Sequence, residues 1–216
     1  MADASALLSR GGRRARGAHT LLAEGVAVFL LMPGLVFFLA GAAAAPFLLS
    51  AILWTSVILL SMSRNFLWAD LLPRDALSEW PLFAGLTASF AAAALALGLV
   101  LAPGSLFSPE PEMALRLLLY PVLVALPLEL FCRALFFRRY GRLFASERGA
   151  ILFSAAAGAA LWAAMGCGCG FAAFGAATGA ALSWAYLRTG QFALSVALNW
   201  ATALAFFLIA PGLAEF

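Results

Sequence analysis

The sequence predicts an all-α fold: a polytopic transmembrane helix bundle of about seven spans, N-terminus inside and C-terminus outside. Three observations carry this. Of 216 residues, 65% are hydrophobic and 11% charged, against about half and about a quarter in soluble domains. Mean hydropathy is +1.01, more than one soluble core of this size can hide and the opposite of the balance that gives disorder. Apolar windows of roughly 20 residues, the length that crosses a bilayer, recur along the chain. Finally, every basic residue is Arg, and the arginines fall in alternate loops.

The elements follow in order. Residues 1–20 carry Arg10, Arg13, Arg14 and Arg16 ahead of an apolar run. That run is too long for a signal peptide and no cleavage site is evident, so the segment reads as a cytoplasmic tail. Residues 21–112 hold three N-terminal spans, Leu21–Ala40, Pro46–Met62 and Leu82–Leu101. Between the second and third, segment 65–80 mixes Phe66, Leu67, Trp68, Leu71 and Leu72 with Asp70, Arg74 and Asp75. It reads as an interfacial helix with Trp68 and Trp80 at headgroup level. Residues 113–216 form a core of four spans: Met113–Phe137, Gly149–Met165, Phe171–Leu187 and Phe192–Ala210.

Orientation follows from the Arg bias. With the N-terminus inside, the cytoplasmic segments hold the tail arginines, then Arg64 and Arg74, then Arg138, Arg139, Arg142 and Arg148, and finally Arg188. The outer loops hold only Arg116, near Glu110 and Glu112. This is opposite to seven-helix receptors and argues against one. The net charge of +3 is topology, and with no soluble domain to bear a basic patch no nucleic-acid partner is expected. Membrane lipid is the surrounding partner. Three cysteines, Cys132, Cys167 and Cys169, give no disulfide framework. Cys167 and Cys169 sit in a Gly-Cys-Gly-Cys-Gly turn, read as small-residue turn chemistry. Gly175-x-x-x-Gly179 and the Ala runs predict close helix packing.

Ionisable residues at membrane depth are costly, about 3 kcal/mol for a central Asp or Arg, and mark function by default. Glu24 reads as an interfacial carboxylate facing the Arg tail. Glu129 and Arg133 lie deeper, four apart on one helical face with the acid first, the favourable order for an ion pair. Spacing alone leaves a structural pair and a functional pair both open.

The surrounding stretch runs Tyr120-Pro121 … Leu128-Glu129-Leu130-Phe131-Cys132-Arg133 … Arg138-Arg139-Tyr140. It resembles the first motif, Glu-Glu-x-x-x-Arg, of the CAAX-protease and bacteriocin-processing (CPBP) family of intramembrane proteases. Tyr186-Leu187-Arg188-Thr189-Gly190 is similar to that family's turn before its last motif helix. Gly212-Leu213-Ala214-Glu215-Phe216 resembles the tail of one proteobacterial branch. The resemblance covers residues 119–216. It implies a multi-pass protein of the bacterial inner (cytoplasmic) membrane, an endopeptidase fold, and a site at Glu129, Arg133 and Asn199. It also implies a hydrophobic or lipid-modified peptide, or a membrane protein, as partner.

The sequence departs from the pattern where the chemistry lies. The family's first Glu is Leu128 here. Its second motif would place a His in the fifth span, where Phe153–Met165 has none. The His of its third motif matches Asn199, and that motif's last position matches Ala203. His19, the single histidine, lies near the N-terminus. Amide hydrolysis needs a base for water and a donor for the oxyanion. Only Glu129 is left as base and Asn199 as donor. Neither a metal nor another cofactor is expected: one Glu and one Asn do not hold zinc, and no nucleotide fingerprint occurs. The expectation is a CAAX-protease-like membrane protein with weak or no proteolytic activity. The alternatives are an active Glu-dependent peptidase, and a small transporter or assembly factor.

Overall fold

The computed structural model describes residues 18–40, 44–63, 66–72, 76–101, 103–107, 113–165 and 169–209. Among them there is no strand, and seven long helices occupy the intervals expected of spans. They are α1 (residues 18–40), α2 (Ala44–Ser61), α3 (Trp80–Leu101), α4 (Met113–Leu143), α5 (Glu147–Ala164), α6 (Cys169–Thr189) and α7 (Phe192–Ile209). By length and composition α1, α3, α4 and α7 can each cross a membrane, and α2 is a shorter apolar helix. Ala and Gly predominate in α5 and α6, which lowers their hydropathy but lets the two backbones approach. Among the described residues they make the most extensive helix–helix contact. A Cβ at Gly179 would lie 3.4 Å from Ala155 Cα, and one at Gly175 would lie 3.0 Å from Trp162 Cδ1. The small-residue stripe is thus used as its spacing predicts.

Helix α4 is the centre of the bundle. From Leu128 to Phe137 every side chain is buried, on all faces, which marks a core helix rather than an amphipathic one. Its neighbours are α1, α2, α5 and α7. Phe29 of α1 packs tilted against Phe131, with centroids 4.4 Å apart, and meets Phe136, Tyr140 and Phe153 edge-on. The outward faces stay apolar: Phe38, Trp54, Val100, Leu118 and Leu152 are each more than half exposed. This is membrane-protein character, since hydrocarbon covers such surface and water does not.

Two stretches of α4 are wound wider than an α-helix, with i→i+5 bonding: Pro121–Ala125 and Leu130–Tyr140. Pro121 brings no N–H to the Leu117 carbonyl, its partner in α-helical winding. The indole Nε1 of Trp200 donates to that carbonyl at 2.9 Å, tying α7 to α4. Lone hydroxyls turn back on their own helix, as Ser56, Thr178 and Thr202 do on the carbonyl four residues earlier.

Helix ends follow local chemistry. Ser146 caps α5, accepting from the Gly149 N–H at 3.1 Å, with Glu147 in the first turn. At the end of α6, Gly190 adopts φ +67° and its N–H closes on the Tyr186 carbonyl at 2.8 Å. Thr189 Oγ1 donates to the Ala185 carbonyl and accepts from the Gln191 N–H. The Thr-Gly turn is therefore a helix stop that aims α7 back along α6. Gly190→Ala is expected to cost about 1–2 kcal/mol, the penalty of a Cβ in the left-handed region, read as a lowered thermal midpoint.

The 65–80 segment differs from its expectation. It is not one helix but two short 3-10 turns, Trp68–Leu71 and Ala76–Glu79. Leu72 precedes Pro73 and is extended (φ −72°, ψ 148°), because a proline ring disfavours helical backbone in the residue before it. Glu24 accepts from Arg139 Nε, from Arg139 Nη2 at 3.0 Å and from the Tyr140 hydroxyl at 2.7 Å, while the N-terminal tail that it is expected to face lies outside the described residues. Beside it Arg138 pairs with Asp70 at 2.7 Å and lies over the Phe66 ring. Arg138 and Arg139, in the last turns of α4, thus tie it to α1 and to the α2–α3 connection.

Candidate functional site

Glu129 sits where α4 passes from α-helical to wider winding and is wholly buried. Oε1 takes the Asn199 Nδ2–H at 2.6 Å and Arg133 Nη1 at 3.1 Å. Oε2 takes the Ser195 hydroxyl. The three residues expected from sequence, Glu129, Arg133 and Asn199, therefore meet. Ser195 and Tyr120 complete the group and were not among the expected ones. Ser195 stands one turn before Asn199 on the same face of α7. That Ser-x-x-x-Asn spacing was the available signal. The Tyr120 hydroxyl donates to Asn199 Oδ1 at 3.1 Å, so the amide turns its NH₂ toward the carboxylate.

Arg133 is shared between helices. Its Nη1 holds Glu129 within α4, and its Nη2 donates to the Gly179 carbonyl of α6 at 3.1 Å. Gly179 thus serves twice, admitting both the α5 backbone and the guanidinium, which lies 3.6 Å from where a Cβ would stand. Arg133 Nε, also buried, has no hydrogen-bond partner. Glu129 and Arg133 together are neutral, which is what makes them tolerable at this depth.

A cavity of about 40 Å³ lies beside this group, room for about three waters. Its walls include Leu128 and Arg133 of α4, Gly158 and Trp162 of α5, Gly179 of α6 and Asn199 of α7. Ala203, the last position of the third motif, also faces it. The motif positions of three helices thus converge on one cavity. Glu129 is not part of its lining; Leu128 is. Among the described residues, the lining holds no carboxylate and no imidazole.

The other candidates lie elsewhere. His19 is exposed near the start of α1. Cys132 is a buried free thiol on the cavity wall, with Ser154 donating to its carbonyl at 2.6 Å. Cys167 lies outside the described residues, and so does the side chain of Cys169. No group of three His, Cys, Asp or Glu side chains gathers among the described residues.

Chemically, the arrangement surrounds the Glu129 carboxylate with donors. Both oxygens of Glu129 are occupied by donors from its own helix and from α7. Asn199 spends one N–H on Glu129 and its carbonyl on Tyr120. Arg133, on the cavity wall, keeps one buried nitrogen, Nε, without an acceptor among the described residues.

Comparison with known proteins gives one family match. Residues 110–210 match the model of the type II CAAX prenyl endopeptidase Rce1-like family. No curated protein and no solved structure matches the chain.

Proposed function

We propose, for a chain that belongs to the Rce1-like family through residues 110–210, that it is a non-hydrolytic CAAX-protease-like membrane protein. It would hold a hydrophobic or lipid-modified peptide, or a membrane protein partner, without cutting it. One observation carries the reading: the carboxylate of Glu129 is closed off from the cavity, and Leu128 faces the cavity instead. A general base must come within about 2.6–3.2 Å of its water, directly or through one water. Glu129 meets protein donors on both oxygens. The position to which the family resemblance assigns a carboxylate carries an alkyl group. Loss of base assistance typically forfeits about 10²–10⁴ in rate, and here the matching His positions are also without an imidazole.

The test is purified protein in lipid with a prenylated or hydrophobic peptide, followed by mass spectrometry. No product is expected. Turnover that Glu129→Gln abolishes would make Glu129 a working base and overturn the reading. Turnover that survives Glu129→Gln would overturn it as well and remove Glu129 from the site.

The same proposal includes the bacterial inner membrane as location, with N-in/C-out topology and all seven helices spanning. Reporter fusions after Arg64, Arg142 and Arg188 are expected to read cytoplasmic, and fusions after Pro103 and at the C-terminus external. A cytoplasmic C-terminus would mean that an even number of helices crosses.

A further inference from the structure

We propose that the cavity between α4, α5, α6 and α7 binds the neutral, oxygen-bearing end of an apolar molecule, a hydroxyl or an ester carbonyl. The inference deepens the non-hydrolytic reading and rests on it.

Three observations lead here. The first is an unmet donor. Arg133 lines the cavity, and its buried Nε has no hydrogen-bond partner among the described residues, while Nη1 and Nη2 each make one bond. A buried donor without an acceptor is destabilising and calls for an occupant. Asn199, also in the lining, offers a second donor, since only one N–H of its amide is used, on Glu129. Two donor side chains on one cavity suit an acceptor oxygen.

The second observation is charge. Arg133 is already neutralised by Glu129 at 3.1 Å. A carboxylate or phosphate in the cavity would add a net buried negative charge with no cation to answer it, which is strongly disfavoured. A neutral oxygen adds none.

The third is the wall. Trp162, Phe174, Leu182 and Phe206 line the cavity, and Phe174 and Phe206 form a ring pair with centroids 5.2 Å apart. The cavity is partly open rather than sealed. At about 40 Å³ it takes a head group, and an attached alkyl chain runs out along the aromatic wall.

The experiment uses the full chain in lipid nanodiscs and reads its thermal midpoint with dodecanol, methyl dodecanoate, dodecane and dodecanoate. Dodecanol or methyl dodecanoate, or both, is expected to raise the midpoint by about 5–10 °C at a hundredfold excess over Kd; whichever does names the head group. Dodecane and dodecanoate are expected to leave it within about 1 °C. Gly158→Val narrows the cavity from the α5 wall, where a Cβ meets nothing nearer than Cys132 Sγ at 4.0 Å. It is expected to fold and to abolish the shift. An equal shift with dodecane makes the site merely apolar, and a larger one with dodecanoate makes it an anion site. A shift that survives Gly158→Val lies elsewhere, and no shift with any probe leaves the cavity to water. Each of these four results overturns the proposal. None of the probes carries a peptide bond, so peptide turnover would overturn the non-hydrolytic reading without altering this result.

Discussion

Glu129→Ala and Arg133→Ala are each expected to destabilise the protein by about 3–5 kcal/mol, the usual loss when one partner of a buried pair is removed. For a chain of this size that lowers the thermal midpoint by roughly 6–20 °C. The two single changes fail for different reasons. Without Glu129, Arg133 keeps its bond to the Gly179 carbonyl but holds an unanswered charge. Without Arg133, Glu129 keeps Ser195 and Asn199, which stabilise a carboxylate but do not neutralise it. The double replacement is expected to cost less than the sum, because no charge is left behind. A double-mutant cycle in lipid or mild detergent measures the coupling. Additive single effects would mean that the pair is not a unit.

Glu24→Ala is expected to cost about 2–3 kcal/mol, from the loss of charge-assisted bonds to Arg139 and of the Tyr140 hydroxyl bond. The damage is local in a telling way. Phe29 still packs on Phe131 and Tyr140, so α1 stays associated near its middle while its first turns come free of α4. Proteolysis or thiol labelling near His19 is expected to quicken, with no change near Asn199. Tyr140→Phe removes one neutral donor and is expected to cost only about 1 kcal/mol. A Glu24→Ala protein as stable as its parent would show that aromatic packing alone seats α1.

Much of this was legible in the sequence, for reasons that differ by element. The seven helices were visible because hydrophobic length is a local signal, and the Thr189-Gly190 turn before α7 stood out by family resemblance. The Glu129–Arg133 pair was visible because it is a one-turn contact. Asn199 came only through family resemblance. What stayed hidden is non-local. Ser195 joins Glu129 across 66 positions and Glu24 meets Arg139 across 115, and no periodicity encodes which helices become neighbours. The accessible face of α4 was hidden too. Leu128 and Glu129 are adjacent, and only the packed bundle decides that the first faces the cavity and the second faces Ser195.

The wide winding of Leu130–Tyr140 makes this stretch a clock as well as a strut. It carries more residues per turn than an α-helix, so its residue count sets the angle between its two ends. Glu129 and Arg133 at one end and Arg138 and Arg139 at the other are satisfied by different helices, and both depend on that angle. Losing one residue would let the segment relax to ordinary α-helical pitch and would swing the arginines away from Glu24 and Asp70 while leaving Glu129 in place. Substitution within the segment is therefore a question of volume, whereas insertion or deletion is a question of phase. Relatives that align here only across a one-residue gap should be found to carry compensating changes on α1 or in the α2–α3 connection, not around Asn199.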